Sequence, residues 1–186
     1  MELDFNIINK LNDENITRKE KEETIEKVKS YLGNLYNLAF YNIETSLPNY
    51  NKLLLDYKNV FQKRKNIFLM SILINYKEEE KNEDKKLLLR NSANLIKEQI
   101  IEINEYEQVV YQDEDYLYCL FDNEKNAKII MKFLADLQRD NQDVNIYRFF
   151  SRIERISGKH NKNLKNAILM NHKNIHSKFI SQHKIF

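Results

Sequence analysis

Residues 67–74 read IFLMSILI, and the placement of this run decides the fold. It carries no charge and is apolar on every side, so it reads as a central buried element, and the helical spacing on both sides of it predicts a buried helix. Upstream, Leu54, Tyr57, Val60 and Phe61 continue into Phe68, Ser71, Ile72 and Asn75 at steps of three and four. Further upstream, Thr24 is placed to cap a helix on which Ile25, Val28, Leu32, Leu35, Ala39 and Ile43 recur. Gly33 within that pattern costs about 1 kcal/mol relative to alanine and is suited to close helix contact. Ser46-Leu47-Pro48 ends the segment, with Ser46 placed to cap the next helix.

Downstream, Lys77 to Lys86 (KEEEKNEDKK) reads as a solvated charged loop. Leu88, Leu95, Ile96, Gln99, Ile100 and Ile103 mark another helix, and Ile130, Phe133, Leu134 and Leu137 a further one. Tyr147, Phe149, Phe150, Ile153 and Ile156 come next, with Gly158 as their C-terminal cap. Leu164, Ile168, Ile175 and Phe179 line a last helix with a basic opposite face.

Composition favours the same class. The 186 residues are 42 % hydrophobic and 31 % charged, which suits a buried core and a solvated surface. Two glycines and one proline are few for the turns of a sandwich, barrel or doubly wound sheet. The expectation is therefore an all-α chain of seven or eight helices, read as one domain over 1–186 with two lobes allowed about the charged loop. One cysteine excludes a disulfide framework and a cysteine-built zinc site. A net charge of +2, from 30 basic and 28 acidic residues, gives no sign of a nucleic-acid partner. The balance is uneven, however, because no acidic residue comes after Glu154. The N-terminus lacks the apolar run of a signal peptide, and no stretch reaches the roughly 20 apolar residues of a membrane helix.

Few residues suggest chemistry. Cys119 lies among apolar residues and carboxylates, the setting of an inert core thiol. His172 and His176 are spaced to share a helix face, but no acidic residue lies beyond them to complete a metal site, so both read as solvated. Glu78 to Glu80 and Asp113 to Asp115 read as surface charge, without the contrast in burial that acid–base pairs need. No catalytic, cofactor or metal residue is expected. Arg155 and His160 form an R-x-x-x-x-H pattern that resembles the motif of the HEPN ribonucleases, which implies an all-helical RNA-cleaving enzyme as an alternative.

A second resemblance covers more of the chain. Phe121-Asp122-Asn123-Glu124 precedes the amphipathic stretch IIMKFLADL, and NIYRFFSRIERI then closes in Ser157-Gly158-Lys159-His160. This order resembles the cytoplasmic domain of the DotU/IcmH/TssL family of type VI and type IVb secretion systems. Phe121, Glu124, Gly158 and Lys159 match the family's motif positions, while Asp122, Asn123 and Asn75 depart from them. The resemblance implies two small helical bundles and a non-catalytic scaffold at the cytoplasmic face of the bacterial inner membrane. It also implies an apolar anchor beyond Phe186. The implied partners are the IcmF/TssM-type membrane protein, the baseplate and a second copy of the chain. An unrelated helical adaptor is the remaining alternative.

Overall fold

The computed structural model describes residues 17–59, 64, 66–76, 82–103, 109–140, 147–156 and 161–183. Helices α1 (Arg18–Phe40) and α2 (Tyr50–Asn59) lead into strand β1 (Ile67–Tyr76) and helix α3 (Asn82–Ile103). The chain continues through β2 (Tyr111–Asp113), β3 (Tyr116–Phe121), α4 (Glu124–Asp140), β4 (Tyr147–Ile156) and α5 (Asn161–His183). The all-α expectation is therefore overturned: the described residues form five helices around a four-stranded sheet. Strand order is β2-β3-β1-β4 with every pair antiparallel. From β1 to β4 the sequence of elements is β-α-β-β-α-β, the split arrangement of ferredoxin-like domains.

The run IFLMSILI is the middle of this sheet. β1 pairs with β4 from Ile67↔Ile156 to Tyr76↔Tyr147, and with β3 from Phe68↔Phe121 to Leu73↔Tyr116. Both faces are covered. Ile67 and Leu69 lie with Tyr116, Tyr118, Leu120, Phe150 and Ile156 under α2 and α5, which contribute Leu53, Tyr57, Leu164, Ala167, Ile168 and Ile175. Met70, Ile72 and Ile74 lie with Leu117, Cys119 and Phe121 under α3 and α4, which contribute Leu89, Ala93, Ile96, Ile100, Ala127, Ile130 and Leu134. A strand covered on both sides needs apolar residues at every position, which erases the alternation of a half-exposed strand.

NIYRFFSRIERI misleads for a related reason. Phe149 and Ile153 face one layer while Phe150 and Ile156 face the other, and the merged pattern imitates helical spacing. Scarcity of glycine and proline misleads because β1–α3–β2 and β3–α4–β4 cross over through helices. The tight turn between β2 and β3 is made without glycine, by Glu114 in the left-handed region at φ 49°.

Helix ends also differ from expectation. α1 starts at a capping box: Thr17 Oγ1 accepts from the Glu20 N–H at 3.3 Å, and the Glu20 carboxylate accepts from the Thr17 N–H at 2.9 Å. Thr24 lies inside the helix, its hydroxyl donating to the Glu20 carbonyl at 2.7 Å. Asn49, rather than Ser46, accepts from the Lys52 N–H at the start of α2. Residues 82–86 of the expected charged loop open α3, while 77–81 lie outside the described residues, as does Gly158.

Phe150→Ala is expected to lose about 3–5 kcal/mol and Ile72→Ala about 2–5 kcal/mol in urea unfolding, against little change for the exposed Leu87→Ala. At the hairpin, Glu114→Gly is expected to hold or gain up to about 1 kcal/mol, and Glu114→Ile to lose at least that much, because a branched side chain resists positive φ. Equal effects of the two Glu114 variants would remove the strained turn from the account.

Candidate docking surface

Two polar pairs join β3 to α5. On β3, Tyr116 and Tyr118 point from the same face toward α5, where His172 and His176 stand one turn apart. The Tyr118 hydroxyl lies 2.8 Å from His172 Nε2 and the Tyr116 hydroxyl 3.1 Å from His176 Nε2. The Tyr116 and His172 rings stack with centroids 3.8 Å apart. Burial and then His176 lower the His172 pKa, against a smaller raising effect of Glu114. Burial raises the pKa of both tyrosines. A neutral His172 therefore accepts from Tyr118, which keeps its proton. Next along α5, the buried Asn171 donates to Ser71 Oγ at 2.9 Å and to the Leu69 carbonyl at 3.3 Å, joining the helix to β1.

The residues singled out by sequence fall in separate places. Phe121 is fully buried at the end of β3, Asn123 accepts from the Lys125 N–H as a cap, and Glu124 opens α4 with an ion pair to Lys128 at 2.7 Å. The Phe-x-x-Glu segment is thus a strand-to-helix junction, with an acid suited to a helix start. Gly158, Lys159 and His160 lie outside the described residues, as do Glu78 to Glu80. Arg155 is on β4 and donates to Asn66 Oδ1 at 2.7 Å, so the helix implied by the R-x-x-x-x-H reading is a strand up to residue 156. Cys119 is buried, and burial pushes its thiol up to about 12. His172 and His176 are held by tyrosines rather than simply solvated, and no group of three metal-ligating side chains occurs among the described residues. Asp113 and Asp115 flank the hairpin tip, raised above the ordinary carboxylate value chiefly by partial desolvation.

Exposed apolar side chains among the described residues concentrate elsewhere. Six of the twelve large apolar side chains exposed among the described residues fall between Ile25 and Ile43. Leu32, Leu38 and Ile43 are 56 %, 59 % and 78 % exposed. Residues 30–43 contain no charged side chain. Between the last turns of α1 and the segment 41–46 opens an uncharged groove of about 660 Å³, lined by Tyr31, Leu35, Leu38, Tyr41 and Ile43 together with Asn34, Asn37, Asn42 and Ser46.

This surface is held on the body by defined contacts. The Asn49 N–H donates to the Phe40 carbonyl at 2.9 Å, and the Asn49 and Asn51 side-chain amides donate to the Ala39 carbonyl at 3.1 and 3.2 Å. The Thr45 hydroxyl donates to Gln112 Oε1, and the Gln112 N–H donates to the Pro48 carbonyl at 2.7 Å. Glu44 pairs with Lys86 of α3 at 2.7 Å. Lys52 and Asp56 of α2 pair at 2.7 Å, and Asp56 also accepts from the Tyr111 hydroxyl at 2.9 Å. Sequence periodicity found the apolar positions of α1, but their exposure depends on which helices the sheet already employs.

The sign of the pH effect is set by His172. Its folded pKa lies below the ordinary value of 6.5, so its stabilisation is complete above that value and is lost as pH falls through the folded pKa. Asp113 and Asp115, with raised folded pKa values, act in the opposite sense in the carboxylate range. The urea midpoint is expected to drop between about pH 7.5 and about pH 5.5, and His172→Gln, which still offers Tyr118 an acceptor, is expected to flatten that drop. An unchanged slope in the variant would refute the assignment.

No protein-family model matches this chain, and no curated protein matches it. Among solved structures it is similar to a diguanylate cyclase/phosphodiesterase from Caldicellulosiruptor saccharolyticus, at 18 % identity and TM-score 0.44 over 72 % of this chain and 84 % of that one. It is also similar to a microbial GGDEF domain described in an interaction with bis-(3′,5′)-cyclic di-GMP, at 11 % identity and TM-score 0.47 over 77 % and 94 % of the two chains. Likeness at this level carries nothing about activity, and the fold assignment rests on strand order and register alone.

Proposed function

We propose that this chain is a non-catalytic docking module that receives a protein helix along α1 and the segment 41–46. One observation carries the reading: an exposed apolar band without charge, Ser30 to Ile43, opens on a groove of about 660 Å³. Charge depletion with tyrosine enrichment is the composition of an interface centre, and an uncharged, mainly apolar groove beside a helix suits helix-in-groove recognition. The sheet supports the same reading, since both of its faces are covered by the chain's own helices.

The groups best known for acid–base or nucleophilic work favour a structural use of the core. Tyr118 and His172 satisfy each other, and Cys119 lies far from the thiolate range. The secretion-complex and ribonuclease roles were implied by resemblances framed on helices where β1 and β4 stand, so the docking reading is preferred to both. No helix among the described residues is long and apolar enough to cross a membrane.

A photo-crosslinking amino acid at Leu38 is expected to capture a protein in cells, whereas the same group at the exposed Ile129 of α4 is expected to capture little. Equal yields at the two positions would overturn the docking reading.

A further inference from the structure

We infer that the open edge of β4 takes up an extended segment of another protein, alternating acidic and apolar residues, as a fifth strand of the sheet. This site lies apart from α1 and stands whether or not the docking reading of that helix does. β4 is an outer strand among the described residues, and its pairing with β1 runs unbroken from Ile67↔Ile156 to Tyr76↔Tyr147. The other edge strand, β2, has three residues, and Asn49 bridges to its Gln112. Open edges are commonly blunted by proline, a bulge or charge, and β4 carries only charge.

The backbone of this edge is turned to receive a strand. The Phe149 N–H donates to Gln138 Oε1 of α4 at 3.3 Å, so it points away from β1. Direction alternates along a strand, so the N–H and C=O groups of Ser151 and Ile153 point the same way. Gln138 thus stands, at one position, where a neighbouring strand would be. A groove of about 310 Å³ opens here between the two helical layers. Met131 and Gln138 of α4, Phe149 and Ser151 of β4, and Ile175 and Lys178 of α5 line it.

Side chains select the occupant. On the α4 side of the edge, Phe149, Ile153 and Met131 are partly buried and apolar, and Arg155 is engaged with Asn66. On the α5 side, Arg148 and Arg152 are exposed and share the face of Phe150 and Ile156, and α5 brings Lys178 to the groove. Glu154 is the one acid of β4, and no acidic residue follows it in the chain. The charge guarding the edge is therefore mainly of one sign, which repels a basic strand and admits an acidic one. An added strand presents alternate side chains to the two layers. Its acids then meet Arg148 and Arg152, and its apolar residues meet Phe149 and Ile153. A second copy is disfavoured, because its α5 would lie beside this one and neither helix holds an acid. Nucleic-acid phosphates would satisfy the arginines, but they offer only acceptors to an edge that also presents carbonyls.

Fluorescence anisotropy of the full chain with a labelled short peptide alternating valine and glutamate tests the inference. This peptide is expected to bind, and a counterpart alternating valine and lysine is not. Arg148→Glu combined with Arg152→Glu is expected to weaken the glutamate peptide about tenfold and to reverse the preference between the two. Ser151→Pro removes an outward N–H and leaves the β1 ladder intact, so it is expected to lower affinity about tenfold. Because proline there also tests folding, a second measurement uses the unaltered chain. The glutamate peptide is methylated on alternate backbone amides, in each of the two phases. A strand bonds its neighbour through alternate residues, so one phase is expected to bind and the other is not. Equal binding of the two phases, or a folded Ser151→Pro chain that binds as the wild type does, would reduce the contact to ion pairing and overturn strand addition. Failure of the glutamate peptide to bind, or equal binding of the lysine one, would overturn the acidic partner. A single-stranded oligonucleotide that displaces the peptide at lower concentration than unlabelled peptide does would also overturn it, in favour of nucleic acid.

Discussion

Burial of β1 on both faces is the constraint on which the rest of this structure depends. Its backbone is bonded to β3 on one side and β4 on the other, and its side chains alternate between two helical layers. Met70, Leu69 and Ile72 are fully buried, and each such side chain contributes about 1.5–3 kcal/mol relative to exposure. Because the strand lies between α2 and α5 on one side and α3 and α4 on the other, disturbing it loosens both layers. The polar exceptions in this zone are coupled across layers: Ser71 of β1 receives Asn171 of α5, which fixes the helix against the strand.

The same constraint explains why the proposed docking surface lies outside the sheet. Ferredoxin-like sheets of this order need cover on one face from their two crossover helices, here α3 and α4. This chain closes the other face with α2 before the sheet and α5 after it. Among the described residues both sheet faces are covered by helices, and half of the large apolar side chains left exposed fall between Ile25 and Ile43. Hydrogen bonds from Asn49 and Asn51 to the Ala39 and Phe40 carbonyls join the end of α1 to the start of α2.

The tyrosine–histidine seam ties α5 to the sheet. Tyrosines on β3 are large enough to fill the space beneath α5, but their hydroxyls need partners when buried. His172 and His176 supply them and couple the helix to the titration of one imidazole. This links acid sensitivity to the layer that closes the sheet, not to the docking band.

Sequence by itself determined much of the local structure. The helical spacing of Leu88 to Ile103, Ile130 to Leu137 and Leu164 to Ile175, the inert thiol of Cys119, and the apolar positions Ile25 to Ile43 were legible because each depends on residues near it in the chain, whereas the start of α3 at residues 82–86 was read as loop. The capping box at Thr17 and Glu20 was equally local, and the pattern S/T-x-x-E could have found it. Tertiary structure alone decided that IFLMSILI, YLYCLF and YRFFSRIERI are strands. An element apolar on all sides has the same pattern as a buried helix or a doubly covered strand, and only hydrogen-bond partners distant in sequence distinguish the two. Tertiary structure likewise decided that His172 and His176 meet tyrosines more than 50 residues away and that α1 keeps its apolar side exposed. Exposure depends on which surfaces the rest of the chain has already covered, and that is a property of the whole packing rather than of any segment.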